Sequence, residues 1–191
     1  MTCGFARVHN VFTTNPNESK HTAARCQTAR KTIVPVILGI DLGTHCGFCL
    51  LNGAAGGYRV FSGSWTLSGP DDEPEAYHKR ASRMRAKLDD WLTLTDVVFY
   101  EKVHRHNGVL AAHCYGALEA ELKAACAAHG KALKPLGVGA IKKFATGKGN
   151  ASKLEMLDAA KNLHPGVLTE DEADAFHIAS LGMDSELEEA A

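Results

Sequence analysis

The sequence lacks any long hydrophobic run, because no apolar stretch approaches the roughly 20 residues that a membrane-spanning helix needs. It also lacks the charged segment followed by an apolar core that opens a secretory signal peptide. These two absences argue against a membrane partner. We therefore expect an intracellular, cytoplasmic protein.

The chain also has little net charge, because 21 Lys and Arg residues nearly balance 22 Asp and Glu residues and leave a net charge of −1. This balance argues neither for nor against a nucleic-acid partner. The basic residues are nonetheless concentrated at 79–87 and 142–153. Six cysteines are scattered through ordinary segments of a chain too long to need disulfide stapling, so we expect reduced thiols.

Apolar periodicity divides the chain into three parts. Residues 1–32 show no sustained periodicity and hold five basic residues against one acid, Glu18, which predicts a flexible basic arm. A transit peptide, a DNA-touching arm and an upstream start-site extension remain open for this segment. Residues 33–184 are expected to form one globular domain, and 185–191 an acidic tail.

The domain begins with strand patterns and continues with alternating helices and strands. Strands are predicted at 33–41, 47–51, 58–67, 96–101 and 131–136. Helices are predicted over the stripe from Tyr77 to Trp91, at 109–129, in a short piece before the loop "TGKGNAS", at 151–163 and from about 170. This order indicates an α/β fold with a mixed five-stranded sheet, three antiparallel strands followed by two parallel ones, and helices on both faces.

Carboxylates stand where two buried strands end, at Asp41 in "ILGIDLGT" and Glu101 in "DVVFYE". Asp171 and Asp174 are three residues apart and share a face of the last helix, whereas Glu172 points about 100° away. Each residue alone has a structural explanation: a turn at Asp41, a surface strand end at Glu101, and helix-dipole stabilisation at 170–174. Together, four carboxylates on two strands and one helix are suited to two Mg²⁺ or Mn²⁺ ions of a phosphodiester-cutting site.

Four ordered motifs carry a resemblance to a known family: "GIDLGTHCGFCLL", "VVFYEKV", "GAIKKFATGKGNASK" and "DEADAFHIAS". With compatible gaps over residues 33 to about 182, they resemble the RuvC-type Holliday junction resolvases, most of all the RuvC-like endonucleases of bacteriophages. The resemblance implies an RNase H-like fold and a metal-dependent, structure-selective endodeoxyribonuclease of DNA recombination and repair. It also implies branched DNA as the partner, whether four-way junction, fork or flap, in a bacterial cell or a phage-infected host.

Carried over motif by motif, the resemblance assigns the metal ligands and catalytic carboxylates to Asp41, Glu101, Asp171 and Asp174, with Lys153 as a catalytic cation. It also assigns phosphate contacts to Lys142 and Lys153. We expect further DNA contacts from Lys143 and Lys148 in the same basic segment, and from His104, Arg105 and His106 in the loop after the strand that ends at Glu101. One departure is His104, which stands where bacterial members often carry an aromatic residue that stacks at the junction centre. A homodimer is expected, because a twofold protein suits a symmetric junction.

Three other interpretations compete with this one. "GIDLGT" resembles the first phosphate loop of actin-like ATPases, but those proteins need two such lobes, and this domain is half the required size. Cys46 and Cys49 have CxxC spacing, but a single pair is a weak zinc or redox signal, and the two side chains would face opposite sides of a strand. A non-catalytic DNA-binding scaffold of the same fold is the third.

Overall fold

The computed structural model describes residues 7–10, 34–54 and 57–191. The strands are β1 (Arg7–Asn10), β2 (Val36–Asp41), β3 (His45–Ala54), β4 (Gly57–Thr66), β5 (Val97–Lys102) and β6 (Ala132–Gly137). The helices are α1 (Tyr77–Leu94), α2 (Val109–Ala128), α3 (Val138–Thr146), α4 (Lys153–Leu163) and α5 (Glu170–Glu189). None of these helices is both long enough and apolar enough to span a membrane.

The strands form one mixed sheet in the order β1-β4-β3-β2-β5-β6. β2, β3 and β4 pair in antiparallel fashion, while β5 pairs in parallel with both β2 and β6. The predicted fold class, three antiparallel strands followed by two parallel strands with helices on both faces, is confirmed.

A short sixth strand lies at the edge of this sheet and was not predicted. β1 pairs antiparallel with β4, with Arg7 opposite Ser62 and Asn10 opposite Arg59. These four residues belong to the segment 1–32 that was predicted to be a flexible arm, and the rest of that segment lies outside the described residues. Strand pairing uses backbone groups, so it needs no apolar periodicity in the added strand.

Two hydrophobic cores cover the two faces of the sheet because side chains alternate along each strand. On β2, Leu38 and Ile40 lie in the core beneath α1 and α2, whereas Ile37 lies in the core beneath α3, α4 and α5. β5 alternates in the same way, with Val98 and Tyr100 on the first face and Phe99 on the second. The face that packs against α5 is the one that carries the candidate site.

The buried stripe predicted for α1 is largely present, with Ala81, Met84 and Leu88 in the core and Tyr77 and Trp91 half-buried. Most of the basic residues of this helix form hydrogen bonds or ion pairs with other residues of the protein. Arg80 is itself buried and donates hydrogen bonds to the carbonyls of Pro74 and Glu73. Two further members form ion pairs, Arg83 with Asp72 and Arg85 with Asp89 and Glu121. The basic cluster at 79–87 therefore serves mainly to fasten the loop before α1 and the contact with α2.

The acidic tail predicted at 185–191 is mostly the last turn of α5, which continues to Glu189. The Lys134 Nζ of β6 lies 2.7 Å from a Glu186 carboxylate oxygen and 2.9 Å from one of Glu189. These ion pairs fasten the end of α5 to the edge strand β6, which explains why the helix does not stop at 184.

Candidate active site

Asp41 and Glu101 occupy equivalent positions at the ends of two parallel neighbouring strands. The register pairs Ile40 with Tyr100, so the next residue on each strand is a carboxylate. By alternation, both side chains project from the face that packs against α5, the face that also carries Ile37 and Phe99. The ends of parallel neighbours lie about 4.8 Å apart, so the two carboxylates are neighbours across β2 and β5.

The N-terminal half of α5 lies against this edge of the sheet because glycines leave room for it. A Cβ at Gly39 would lie 2.5 Å from the Ala175 carbonyl oxygen and 2.6 Å from the Ala179 nitrogen. A Cβ at Gly47, which pairs with Asp41, would collide with the carbonyl of Asp171. Gly47 was predicted as the first residue of a strand, but it lies inside β3, which begins at His45, and its missing side chain leaves room for the helix.

The acidic residues at the start of α5 have two different roles. Glu172 forms a capping box with Thr169, in which each side chain accepts a hydrogen bond from the other residue's backbone N–H. It therefore stabilises the start of the helix. Asp171 and Asp174 are left on the sheet side, and Ser64 Oγ of β4 donates a 3.4 Å hydrogen bond to Asp171.

The pKa values of Asp41, Glu101 and Asp174 are raised, in part by repulsion among the carboxylates. Burial raises the pKa of Asp41 well above its usual range, and repulsion from Asp174, Glu101 and Asp171 raises it further. The pKa of Glu101 is raised by burial and then by Asp174. Burial also raises the pKa of Asp174, with a further contribution from Asp171. The structure thus brings the four predicted carboxylates into one electrostatically coupled group.

Two of the predicted lysines share this environment. Lys153, the first residue of α4, lowers the pKa values of Asp41, Glu101 and Asp174 by its positive charge, and Lys142 of α3 does so for Glu101 and Asp174. The Lys142 ammonium donates a 2.7 Å hydrogen bond to the carbonyl of Ala151. Lys142 therefore bridges α3 and the start of α4, holding the intervening loop.

The other predicted DNA-contact residues lie on α3, on the loop that follows α3 and on the loop that follows β5. Lys143 is exposed on α3, and His104 and Arg105 are exposed on the loop after β5. Lys148 is paired with Glu155 at 3.1 Å. His106 is half-buried, with its ring 4.7 Å from the ring of Tyr115.

Sequence reasoning missed three side chains around this group. Tyr115 of α2 bonds the backbone on both sides of Lys102, Ser64 contacts Asp171, and Glu170 lies 3.4 Å from the Lys153 ammonium. Glu170 was recognisable as an acid of the first helical turn, but only the fold brings α4 beside it. Nothing in local periodicity distinguishes Tyr115 from an ordinary core residue.

The donor set suits a hard divalent cation, because every candidate ligand is a carboxylate oxygen. Among the residues that the structure describes, however, no three His, Cys, Asp or Glu side chains are close enough to hold a metal ion together. Two ionised carboxylates about 4 Å apart repel by roughly 4 kcal/mol at an effective dielectric near 20, so they separate unless a cation or proton lies between them. The residues thus fit a divalent metal by the chemistry of their donor atoms, but the arrangement of the described side chains does not by itself form a metal site.

The CxxC pair does not add to this site. Cys46 lies in the core beneath α1 and α2, and Cys49 lies in the core beneath α3, α4 and α5. Both thiols are buried, and burial raises the pKa of each. Two thiols on opposite faces of one strand cannot share a metal ion or form a disulfide with each other, as their spacing predicted.

Two solved structures share the fold of this chain over most of its length. Thermus thermophilus RuvC matches with a TM-score of 0.64 at 20% identity, covering 80% of this chain and 96% of that one. T. thermophilus RuvC in complex with a Holliday junction substrate matches with a TM-score of 0.66 at 20% identity, covering 81% and 96%. No family model matches the sequence, and no curated protein is significantly similar to it. At this identity the likeness establishes a RuvC-like fold, the RNase H-like fold expected from the motifs.

Proposed function

We propose that this protein is a metal-dependent, structure-selective endodeoxyribonuclease that nicks Holliday junctions or related branched DNA. The observation that carries the proposal is the electrostatically coupled group of Asp41, Glu101, Asp171 and Asp174, on two adjacent strand ends and one helix. Burial and mutual repulsion raise the pKa values of Asp41, Glu101 and Asp174, and groups with such perturbed pKa values cluster at functional sites. The RuvC-like fold around them supports the same conclusion.

Each side chain has a role that follows from its place. Asp41, Glu101, Asp171 and Asp174 would hold two Mg²⁺ or Mn²⁺ ions, which when bound supply an activated water and stabilise the departing 3′ oxygen. Lys153 would neutralise charge that develops on the phosphate, since its ammonium is exposed and already reaches the carboxylates electrostatically. Lys142, Lys143 and Lys148, with His104, Arg105 and His106, would position the DNA backbone.

The preferred partner in this proposal is four-way, forked or flapped DNA, handled by a homodimer in recombination and repair. The outer face of α2 supports a self-association surface, because Val109 and Leu110 are exposed at the start of this helix. A kinship with phage-type resolvases, and a site of action in the cytoplasm of a bacterial cell or phage-infected host, belong to the same proposal and rest on the resemblance of the sequence motifs. His104, which stands where bacterial members often carry a stacking aromatic residue, departs from the bacterial pattern.

The first experiment is cleavage of labelled four-way junction, fork, flap and linear duplex, each with Mg²⁺ and with EDTA. The wild type is expected to make metal-dependent paired nicks in the junction. Asp41→Asn is expected to abolish cutting and retain junction binding, because it removes a ligand charge without changing shape. Asp158→Asn, which neutralises an exposed aspartate of α4, is the matched control and should cut like the wild type.

The outcomes separate three functions. Cutting of the junction alone supports a resolvase, whereas equal cutting of forks and flaps indicates a general debranching nuclease. Binding without cutting by the wild type indicates a DNA-binding scaffold of this fold. Metal-dependent cutting that survives in Asp41→Asn contradicts the assignment of the catalytic carboxylates.

A further inference from the structure

The hydroxyl of Tyr115 forms two hydrogen bonds with the backbone where β5 ends. It donates to the carbonyl of Glu101 at 2.9 Å and accepts from the N–H of Val103 at 3.2 Å. One phenolic oxygen therefore closes a small ring around Lys102. Only a group that is both donor and acceptor can make this pair of bonds.

The same tyrosine also supports the loop that follows. Its ring packs at 4.7 Å from the ring of His106, and Val103 packs against the core in which Tyr115 lies. Residues 103–108 connect the end of β5 to the start of α2. Tyr115 contacts this loop at Val103 and at His106, on either side of the exposed His104 and Arg105. Tyr115 is itself 9% exposed and held by the packing of α2.

We propose that Tyr115 is a positioning residue, which fixes the backbone at Glu101 and Val103 so that the Glu101 carboxylate and the 104–106 loop keep their directions. This inference rests on the proposed nuclease function and assigns to α2 a part in the site that no catalytic motif suggests. Tyr115 touches neither metal nor DNA in this role. It acts through the last peptide groups of β5, where the ladder with β6 ends at Lys102 and Gly137.

A matched pair of variants tests the inference. Tyr115→Phe removes only the hydroxyl that clips the strand end. Tyr100→Phe removes the hydroxyl of a buried tyrosine on β5, the strand that Tyr115 contacts. This hydroxyl donates a 2.7 Å hydrogen bond to Glu119 and makes no bond to the Glu101 backbone. Thermal unfolding of both variants measures what the loss of a buried phenolic hydrogen bond does to the fold alone.

The decisive readouts are taken without DNA. Mn²⁺ affinity is measured by titration calorimetry, and hydrogen exchange of the Val103 amide by NMR. Removing a residue that orients a ligand typically weakens metal binding by about tenfold or more. Tyr115→Phe is expected to show such a loss together with faster Val103 exchange, while Tyr100→Phe keeps the wild-type values of both.

Junction cleavage then adds a kinetic signature, a fall in kcat for Tyr115→Phe that saturating Mn²⁺ partly restores. Unchanged Mn²⁺ affinity in Tyr115→Phe, or an equal loss in Tyr100→Phe, overturns the positioning role. A wild type that binds Mn²⁺ with this dependence on Tyr115 but cuts no DNA contradicts the nuclease function and leaves the positioning role standing. A wild type that binds no Mn²⁺ overturns both.

Discussion

Lys153 and Lys148 are exposed lysines five residues apart, yet their charges act on different partners. The Lys153 ammonium lies 3.4 Å from Glu170, and its charge lowers the pKa values of Asp41 and Glu101. The Lys148 ammonium lies 3.1 Å from Glu155. The capping contacts from Ser152, followed by Lys148, lower the pKa of Glu155 to about 2. A lysine whose charge acts on the four carboxylates can stabilise charge that develops there during a reaction. A lysine paired with a different residue, as Lys148 is with Glu155, can contribute only to binding.

Replacing each lysine by methionine separates these two roles. Lys153→Met should lower the single-turnover cleavage rate of bound junction about 100-fold, the scale of losing one preorganised cation or donor to a developing charge. Lys148→Met should leave that rate unchanged and reduce the slope of log affinity against log salt by about one, as for a lost phosphate contact. Single-turnover cleavage at saturating protein and salt-dependent binding measure the two quantities. Equal rate losses in both variants would contradict a special role for Lys153.

At the scale of elements, the site depends on how closely α5 approaches the sheet. Gly39 of β2 and Gly47 of β3 face this helix, and a side chain at either position would meet helix backbone. Because the helix carries Asp171 and Asp174 in its first turns, the depth of its packing sets their distance from Asp41. Packing of α5 and assembly of the site are therefore one structural event.

Gly47→Ala tests this coupling. The added methyl group collides with the Asp171 carbonyl, so the helix start must move, at a cost of about 1 to 3 kcal/mol typical of overpacking. Cleavage should fall along with the free energy of unfolding, measured by urea denaturation. The control is Gly116→Ala on α2, where a Cβ meets open space and helix propensity favours alanine by roughly 1 kcal/mol. Full cleavage activity in a destabilised Gly47→Ala protein would contradict the link between helix depth and site geometry.

Local patterns predict the elements and the carboxylates but not the contacts that join them. Alternation along β2 and β5 fixes the faces of Asp41 and Glu101, and helical spacing separates Asp171 from Glu172, so these features follow from sequence. β1 was missed because its pairing with β4 uses backbone groups. The clip made by Tyr115 and the close approach at Gly47 depend on long-range packing, which periodicity does not encode.

At the scale of the whole molecule, four acidic residues of a chain with a net charge of only −1 gather at one end of the sheet, and the charges of Lys142 on α3 and Lys153 on α4 act on them. One chain provides one such group, and a four-way junction offers two opposed strands of equal geometry. A twofold dimer would therefore match the proposed substrate with one site per strand. The exposed Val109 and Leu110 at the start of α2 are the surface proposed for this association.

Mixed dimers test this arrangement directly. Sedimentation should give about twice the 20.4 kDa chain mass, because a C2 assembly is the commonest closed oligomer. Dimers that combine one wild-type and one Asp41→Asn chain, purified through two different tags, should only nick a supercoiled plasmid bearing an extruded cruciform. Wild-type dimers should linearise the same plasmid, since each active site cuts one of the two opposed strands. A chain that sediments as a monomer with and without junction DNA, or mixed dimers that linearise the plasmid as fast as the wild type, would exclude paired cutting by two sites.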